Sequence, residues 1–203
     1  DGAPASSRER HPPALPRALC PVVATDSNLW SVITSMARLS EDDVLLDIGC
    51  GDGRFLAHAA RTCRCRCIGI DVRQSCLDDT MRAAQECGVG HLVEAIEQDF
   101  MEASVEAQVS RATVLYCYLL PHLVRKLEPI LLRAVERGAR VVLFCSNGSR
   151  VQRADAPRAG NALGELHPAR RAWHGRLRLY CNGDLKERDD EHAAPAQPTF
   201  GAA

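Results

Sequence analysis

Lysine is nearly absent from this chain of 203 residues: it occurs only at Lys126 and Lys186, and arginine carries the rest of the positive charge. Long apolar runs are missing as well. No stretch approaches the roughly 20 continuous apolar residues that a membrane-spanning helix needs, so no span is expected. Charge of one sign is lacking, since 25 basic against 26 acidic residues leave a formal net charge of -1. No global field therefore draws the chain toward nucleic acid or anionic lipid. Metal-ligand patterns are absent too. His58, His91, His122, His167 and His174 are scattered without ligand spacing, and no cysteine pair has the second matching pair of a zinc site. No metal is expected, and no internal repeat is present.

Ten cysteines are present, a number that could signal a secreted disulfide framework. Their placement argues otherwise. Cys50 sits inside a glycine turn, and Cys117 and Cys145 sit inside apolar strand-like runs. Cys63, Cys65 and Cys67 alternate at period two, so in a strand their thiols would share one face. Buried reduced thiols are expected, and with them an intracellular compartment. Charge is uneven locally. Between Arg150 and Arg178 lie seven arginines against two acids, Asp155 and Glu165. Such a span can grip phosphate, RNA or an acidic partner, or simply carry solvated side chains. Trp30 and Trp173 read as packing anchors.

The length suits one α/β domain with a sizeable core. Residues 1–18, rich in Pro, Ala and Arg, read as a flexible tail, residues 19–182 as the domain, and residues 183–203 as a disordered tail. Asp1 and Glu9 count against a targeting remnant at the start. Within the domain, helical spacing runs from Ser27 to Leu39, with Asp26 or Ser27 as N-cap. Strands are predicted at 44–48, 65–72, 93–96, 113–120 and 140–145, and helices at 54–62, 75–87 and 122–137. Pro129 should kink the last helix or restart it. Residues 147–172 read as a polar loop, and 177–181 as a last strand, antiparallel at the edge. This alternation implies an α/β fold, a central, mostly parallel sheet flanked by helices.

The densest signal is a strand, then Asp47-x-Gly49-x-Gly51-x-Gly53, then a helix, with Asp71 closing the next strand. Glycines let the backbone bend sharply and let a ligand approach closely. The helix that follows presents free N–H groups and a positive dipole end. An acid about 20 residues on can accept from both hydroxyls of a ribose. Three nucleotide ligands compete for this arrangement. A P-loop needs Gly-Lys-Ser/Thr after the turn, and the chain has Asp52, Gly53 and Arg54. The dinucleotide fingerprint needs a glycine where Arg54 stands, and pyrophosphate would face Asp47 and Asp52. S-adenosylmethionine has no phosphate and carries two cationic groups, so acids around the turn favour it.

These residues resemble known motifs. Asp47 to Gly53 looks like motif I of class I methyltransferases, which have a Rossmann-like fold. Gly69-Ile70-Asp71-Val72 resembles their acidic motif at the end of the second strand. Glu97-Gln98-Asp99-Phe100 resembles the third, where the acid meets the adenine amine and the next residue packs on the ring. Within that superfamily the chain is most similar to small protein-lysine methyltransferases of archaea and their mitochondrial relatives. The segments Pro21 to Asp26, Val114 to Pro121 and Gly138 to Val142 add to the likeness. It runs from about Pro21 to Cys181.

The resemblance implies S-adenosyl-L-methionine as cofactor, held by Asp47, Gly49, Cys50, Gly51, Asp71, Val72, Asp99 and Phe100. It also implies a protein substrate, with Tyr118, Leu119 and Pro121 at the reacting amine, and a mitochondrial or cytoplasmic location. Enzymes that methylate base amines usually carry Asn/Asp-Pro-Pro-Tyr/Phe after the fourth strand. Tyr118-Leu119-Leu120-Pro121 stands there instead. An apolar channel edged by tyrosine suits a lysine, whose stem is hydrophobic and whose amine must lose its proton and water before attack. Tyr116, Tyr118 and Leu119 also read as core of a central strand. The chain departs from these relatives after Val142 and in the arginine-rich span. Methylation of RNA through Arg150–Arg178, and a catalytically silent subunit of a larger assembly, are the alternatives.

Overall fold

The computed structural model describes residues 23–144, 169–172 and 176–181. In chain order the elements are α1 (Ser27–Met36), β1 (Val44–Ile48), α2 (Arg54–Cys63), β2 (Arg66–Asp71), α3 (Gln74–Glu86), a 3₁₀ turn (Gly90–Leu92), β3 (Val93–Glu97), α4 (Val105–Arg111), β4 (Val114–Cys117), α5 (Pro121–Glu136), β5 (Arg140–Phe144), β6 (Arg170–Ala172) and β7 (Leu177–Tyr180). They build one seven-stranded sheet in the order β3-β2-β1-β4-β5-β7-β6. β1 to β5 pair in parallel, β7 pairs antiparallel to β5, and β6 antiparallel to β7. From β1 the chain winds outward to β3, then returns to lay β4 on the other side of β1. The direction of winding reverses between β1 and β4, and in such sheets ligands bind beyond the carboxyl ends of the strands at that point.

Helices cover both faces, so β1 is buried at every position, as a central parallel strand must be. Alternate side chains feed two cores. Leu45, Tyr116, Val142, Leu177 and Leu179 pack with α1, α2 and α3. Leu46, Ile48, Leu115, Val141 and Leu143 pack with α4 and α5. Asp26 caps α1 by accepting from the Asn28 N–H at 2.9 Å. Pro121 opens α5, where its missing N–H costs nothing.

Several expectations differ from what is observed. β4 ends at Cys117 rather than Leu120, because Tyr118, Leu119 and Leu120 peel away from the sheet toward α5. α5 runs on through Pro129: its apolar stripe of Leu123, Leu127, Leu131 and Ala134 is buried on both sides of the proline, so packing keeps one helix where a hydrogen bond is lost. α4 was not foreseen, since only Val105 and Val109 give it a buried face. Arg170–Ala172, read as loop, is the edge strand, and it moves β7 inside the sheet. The three thiols do not share a strand: Cys63 ends α2, Cys65 precedes β2 and only Cys67 lies within it, with the Cys65 and Cys67 sulfurs 3.8 Å apart. The tails 1–18 and 183–203, Cys145, His167, Trp173 and most of the arginine-rich span lie outside the described residues.

At the opposite end of the sheet, a buried ionic network ties the strand starts together. Asp43 accepts from the Ser40 N–H at 2.9 Å, the Thr113 hydroxyl at 2.7 Å and the Arg140 guanidinium. Arg140 also donates to the Ala37 and Arg38 carbonyls that close α1. Arg140→Ala should lower stability by about 2 kcal/mol, because it strips a buried carboxylate of its cation and frees two carbonyls. A urea unfolding curve measures it.

Candidate cofactor site

The glycine turn sits at the carboxyl end of β1. Gly49, Gly51 and Gly53 all have positive φ, at 82°, 57° and 65°. The turn is clipped to the end of β2: the Gly49 and Cys50 N–H groups both donate to the Ile70 carbonyl, at 2.9 and 3.0 Å, and the Gly51 N–H donates to the Asp71 carboxylate at 3.2 Å. The three glycines serve different ends. A Cβ at Gly49 would stand 3.1 Å from Leu119 Cδ2, so Leu119 closes over the turn. At Gly53 it would stand 2.4 Å from Thr80 Oγ1 and 2.6 Å from Thr80 Cα, in the body of α3. Gly53 therefore lets α2 and α3 approach, rather than giving a ligand room. Gly53→Ala should cost about 2 kcal/mol through overpacking and a left-handed backbone, visible as a lowered Tm.

Asp47 lies in register between Gly69 of β2 and Tyr116 of β4. It is only 4% exposed. Burial, then the nearby Asp71 and Asp52 carboxylates, push its pKa up to about 8. Tyr116 beside it is buried, and its hydroxyl lies 3.0 Å from the Thr25 hydroxyl. The Trp30 indole donates to the Thr25 carbonyl at 3.0 Å, which fixes the chain entering α1 over β4. Cys50 turns its thiol inward, 3.6 Å from the Thr80 hydroxyl, and burial raises that thiol's pKa far above the ordinary range. Only the backbone of Cys50 is left to meet a ligand.

Asp71 is 3% exposed and its carboxylate is crowded with donors. Beside Gly51, the backbone N–H of Arg73 donates at 3.0 Å, its Nε at 3.1 Å and its Nη2 at 3.2 Å. Val72 and Asp99 line a cavity of about 650 Å³ together with Glu97, Gln98, Glu102 and Gln108. One Asp99 oxygen accepts the Met101 N–H at 2.8 Å, a turn that fixes the carboxylate. Phe100 is buried against the α4 and α5 side. Sequence reasoning missed Arg73, which has no place in the motif, and the α4 face of the cavity, which followed from missing α4.

The residues expected at the reacting amine are less tightly gathered. Tyr118 is half-buried, its ring edge-on to Phe144 with centroids 4.6 Å apart, and the Arg176 guanidinium lies 5.0 Å from the Phe144 centroid. Leu119 is buried, and Pro121 is exposed at the start of α5. Among the described residues there is no cluster of His, Cys, Asp or Glu able to hold a metal, and no helix long and apolar enough to cross a membrane.

A parallel sheet with this strand order, a glycine turn at its switch point and the buried carboxylates of Asp47 and Asp71 beside it define a class of protein. Asp47 and Asp71 suit a cationic, phosphate-free nucleoside and oppose a pyrophosphate. The chain is a class I S-adenosylmethionine-dependent methyltransferase, and S-adenosylmethionine is its cofactor. The family model described as the ANTKMT methyltransferase domain matches residues 47–146. A protein-lysine N-methyltransferase of Saccharolobus islandicus is 28% identical over 123 residues, 60% of this chain and 74% of the relative. The crystal structure of an RNA methyltransferase from Salinibacter ruber in complex with S-adenosyl-L-homocysteine shares 29% identity, with a TM-score of 0.62 over 84% of this chain and 100% of that one. A precorrin-8w decarboxylase of Methanobacterium thermoautotrophicum, 20% identical with a TM-score of 0.50 over 61% of this chain and 64% of that one, shares the fold alone.

Proposed function

We propose that the enzyme methylates the side-chain amine of a lysine in a protein substrate. The observation that carries this reading is the strand end beside the glycine turn. It offers the Tyr118 and Phe144 rings and Leu119, where base methylation calls for an amide and a proline carbonyl. The family description and the name of the Saccharolobus relative support the same substrate.

In this reading Asp71 accepts from the ribose hydroxyls and Asp99 from the adenine amine, with Val72 and Phe100 against the ring. The backbone of Gly49, Cys50 and Gly51 borders the methionine end, and Asp47 faces its positive charge. Tyr118, Leu119 and Pro121 border the lysine. The cofactor supplies a methyl group on a sulfonium, already electrophilic enough for direct displacement. The protein's part is to align the amine with the methyl, strip its water and keep it neutral. No covalent enzyme intermediate is needed.

Labelled methyl transfer into cell extract tests the substrate class. Label removed by protease and located on lysine supports the reading; label removed only by nuclease overturns it in favour of RNA. That second reading draws on the described name of the Salinibacter relative and on Arg171 and Arg178, which stand opposite each other on β6 and β7. It carries the further expectation of steeply salt-dependent RNA binding. No label at all would favour a silent subunit of a larger assembly. A mitochondrial location rests on the sequence resemblance, and fractionation of cells expressing the full chain decides it.

A further inference from the structure

We infer that Arg73 acts as an internal competitor for the ribose site, its guanidinium holding the place on Asp71 that the cofactor's two hydroxyls take on binding. This rests on reading the crevice as the S-adenosylmethionine site. A carboxylate offers about four acceptor positions. In this structure Gly51 N–H, Arg73 N–H, Arg73 Nε and Arg73 Nη2 use four on Asp71, two of them from the one side chain. The guanidinium fork sets two parallel N–H donors on the two carboxylate oxygens. A ribose with cis hydroxyls presents two O–H donors to the same pair of oxygens. Both cannot be satisfied at once.

The surroundings agree with that competition. The cavity lined by Val72 and Asp99 lies on the adenine side, next along the chain from the Asp71–Arg73 pair. Arg73 is the partner able to leave. Its side chain is 31% exposed against 3% for Asp71, so it can swing into water while the acid stays fixed by two backbone N–H groups. Cofactor binding then exchanges a partly exposed ion pair for two charge-assisted hydrogen bonds. The competitor sets how tightly the cofactor is held, and it spares a buried carboxylate from standing unpaired when the site is empty. Arg73 is thus an affinity-setting residue, with no contact to the reacting atoms.

Calorimetric titration of the full chain with S-adenosylhomocysteine, which cannot react, tests this directly. Arg73→Ala should tighten binding roughly two- to fivefold, the equivalent of one partly exposed ion pair. Arg73→Gln, which keeps the stem and lacks the charge, should fall between that variant and the wild type. The gain should vanish for the 2′,3′-dideoxy analogue of the ligand, which has nothing to offer Asp71. If both variants bind S-adenosylhomocysteine no better than wild type, or gain equally for the dideoxy analogue, Arg73 merely positions Asp71 and the inference is wrong. If the wild type itself does not bind, the reading of the crevice fails first, and the competition with it.

Discussion

Asp71→Ala is expected to raise the dissociation constant for S-adenosylmethionine about a hundredfold, a loss of about 3 kcal/mol, while the sheet stays folded. Each hydrogen bond from a ribose hydroxyl to a carboxylate contributes about 1.5 to 3 kcal/mol, and the substitution removes two, less the Arg73 contact they replace. The fold survives because the turn keeps its two bonds from Gly49 and Cys50 to Ile70, and Asp71 closes a strand paired on both sides. Circular dichroism should match the wild type. Calorimetry returning an unchanged affinity would remove Asp71 from the site.

The second large effect is a dependence on pH set by Asp47. Its pKa in the fold, raised to about 8, exceeds the ordinary carboxylate value of about 4 expected in the unfolded chain. Between these values the folded protein holds a proton that the unfolded chain has lost. The cofactor-free protein should therefore lose stability as pH rises from about 4 to about 8, by several kcal/mol in total, and level off above. The cofactor's positive end favours the ionised carboxylate, so below pH 8 its affinity should rise with pH. Binding near pH 7 should release close to one proton, seen as a buffer-dependent binding enthalpy. Asp47→Asn should abolish the proton release, weaken cofactor binding, and stabilise the empty protein at pH 8. A binding enthalpy that is the same in buffers of different ionisation enthalpy near pH 7 would contradict this.

Much of the fold was legible because the central strands are mostly apolar, and β1 and β2 end at a glycine and an acid. β1, β2 and β4 could be placed from Leu45-Leu46, Ile68-Gly69-Ile70 and Val114-Leu115, whereas the strand order, and with it the switch point, is seen only in the fold. What escaped had weak local signals. α4 shows a single i, i+4 apolar pair, and β6 is three residues long, two of them arginines. Tyr118-Leu119-Leu120 has strand composition yet leaves the sheet, since the next residue, Pro121, starts a helix and favours extended backbone just before it. In the candidate site, the placing of Asp47, Asp71 and the glycines together at the strand ends could be expected from type and spacing. Their division of labour could not: Gly53 meets Thr80, and Arg73 meets Asp71, through tertiary contacts that no local pattern encodes.

The most direct measurement is thermal unfolding of the full chain with S-adenosylmethionine and, in parallel, with NAD. Carboxylates around a bare glycine bend should accept the sulfonium nucleoside and reject the diphosphate. The first ligand at 100 times its dissociation constant should add about 2.7 kcal/mol and raise Tm by several degrees, and the second should leave it unchanged. A shift with NAD and none with S-adenosylmethionine would contradict the assignment of the crevice.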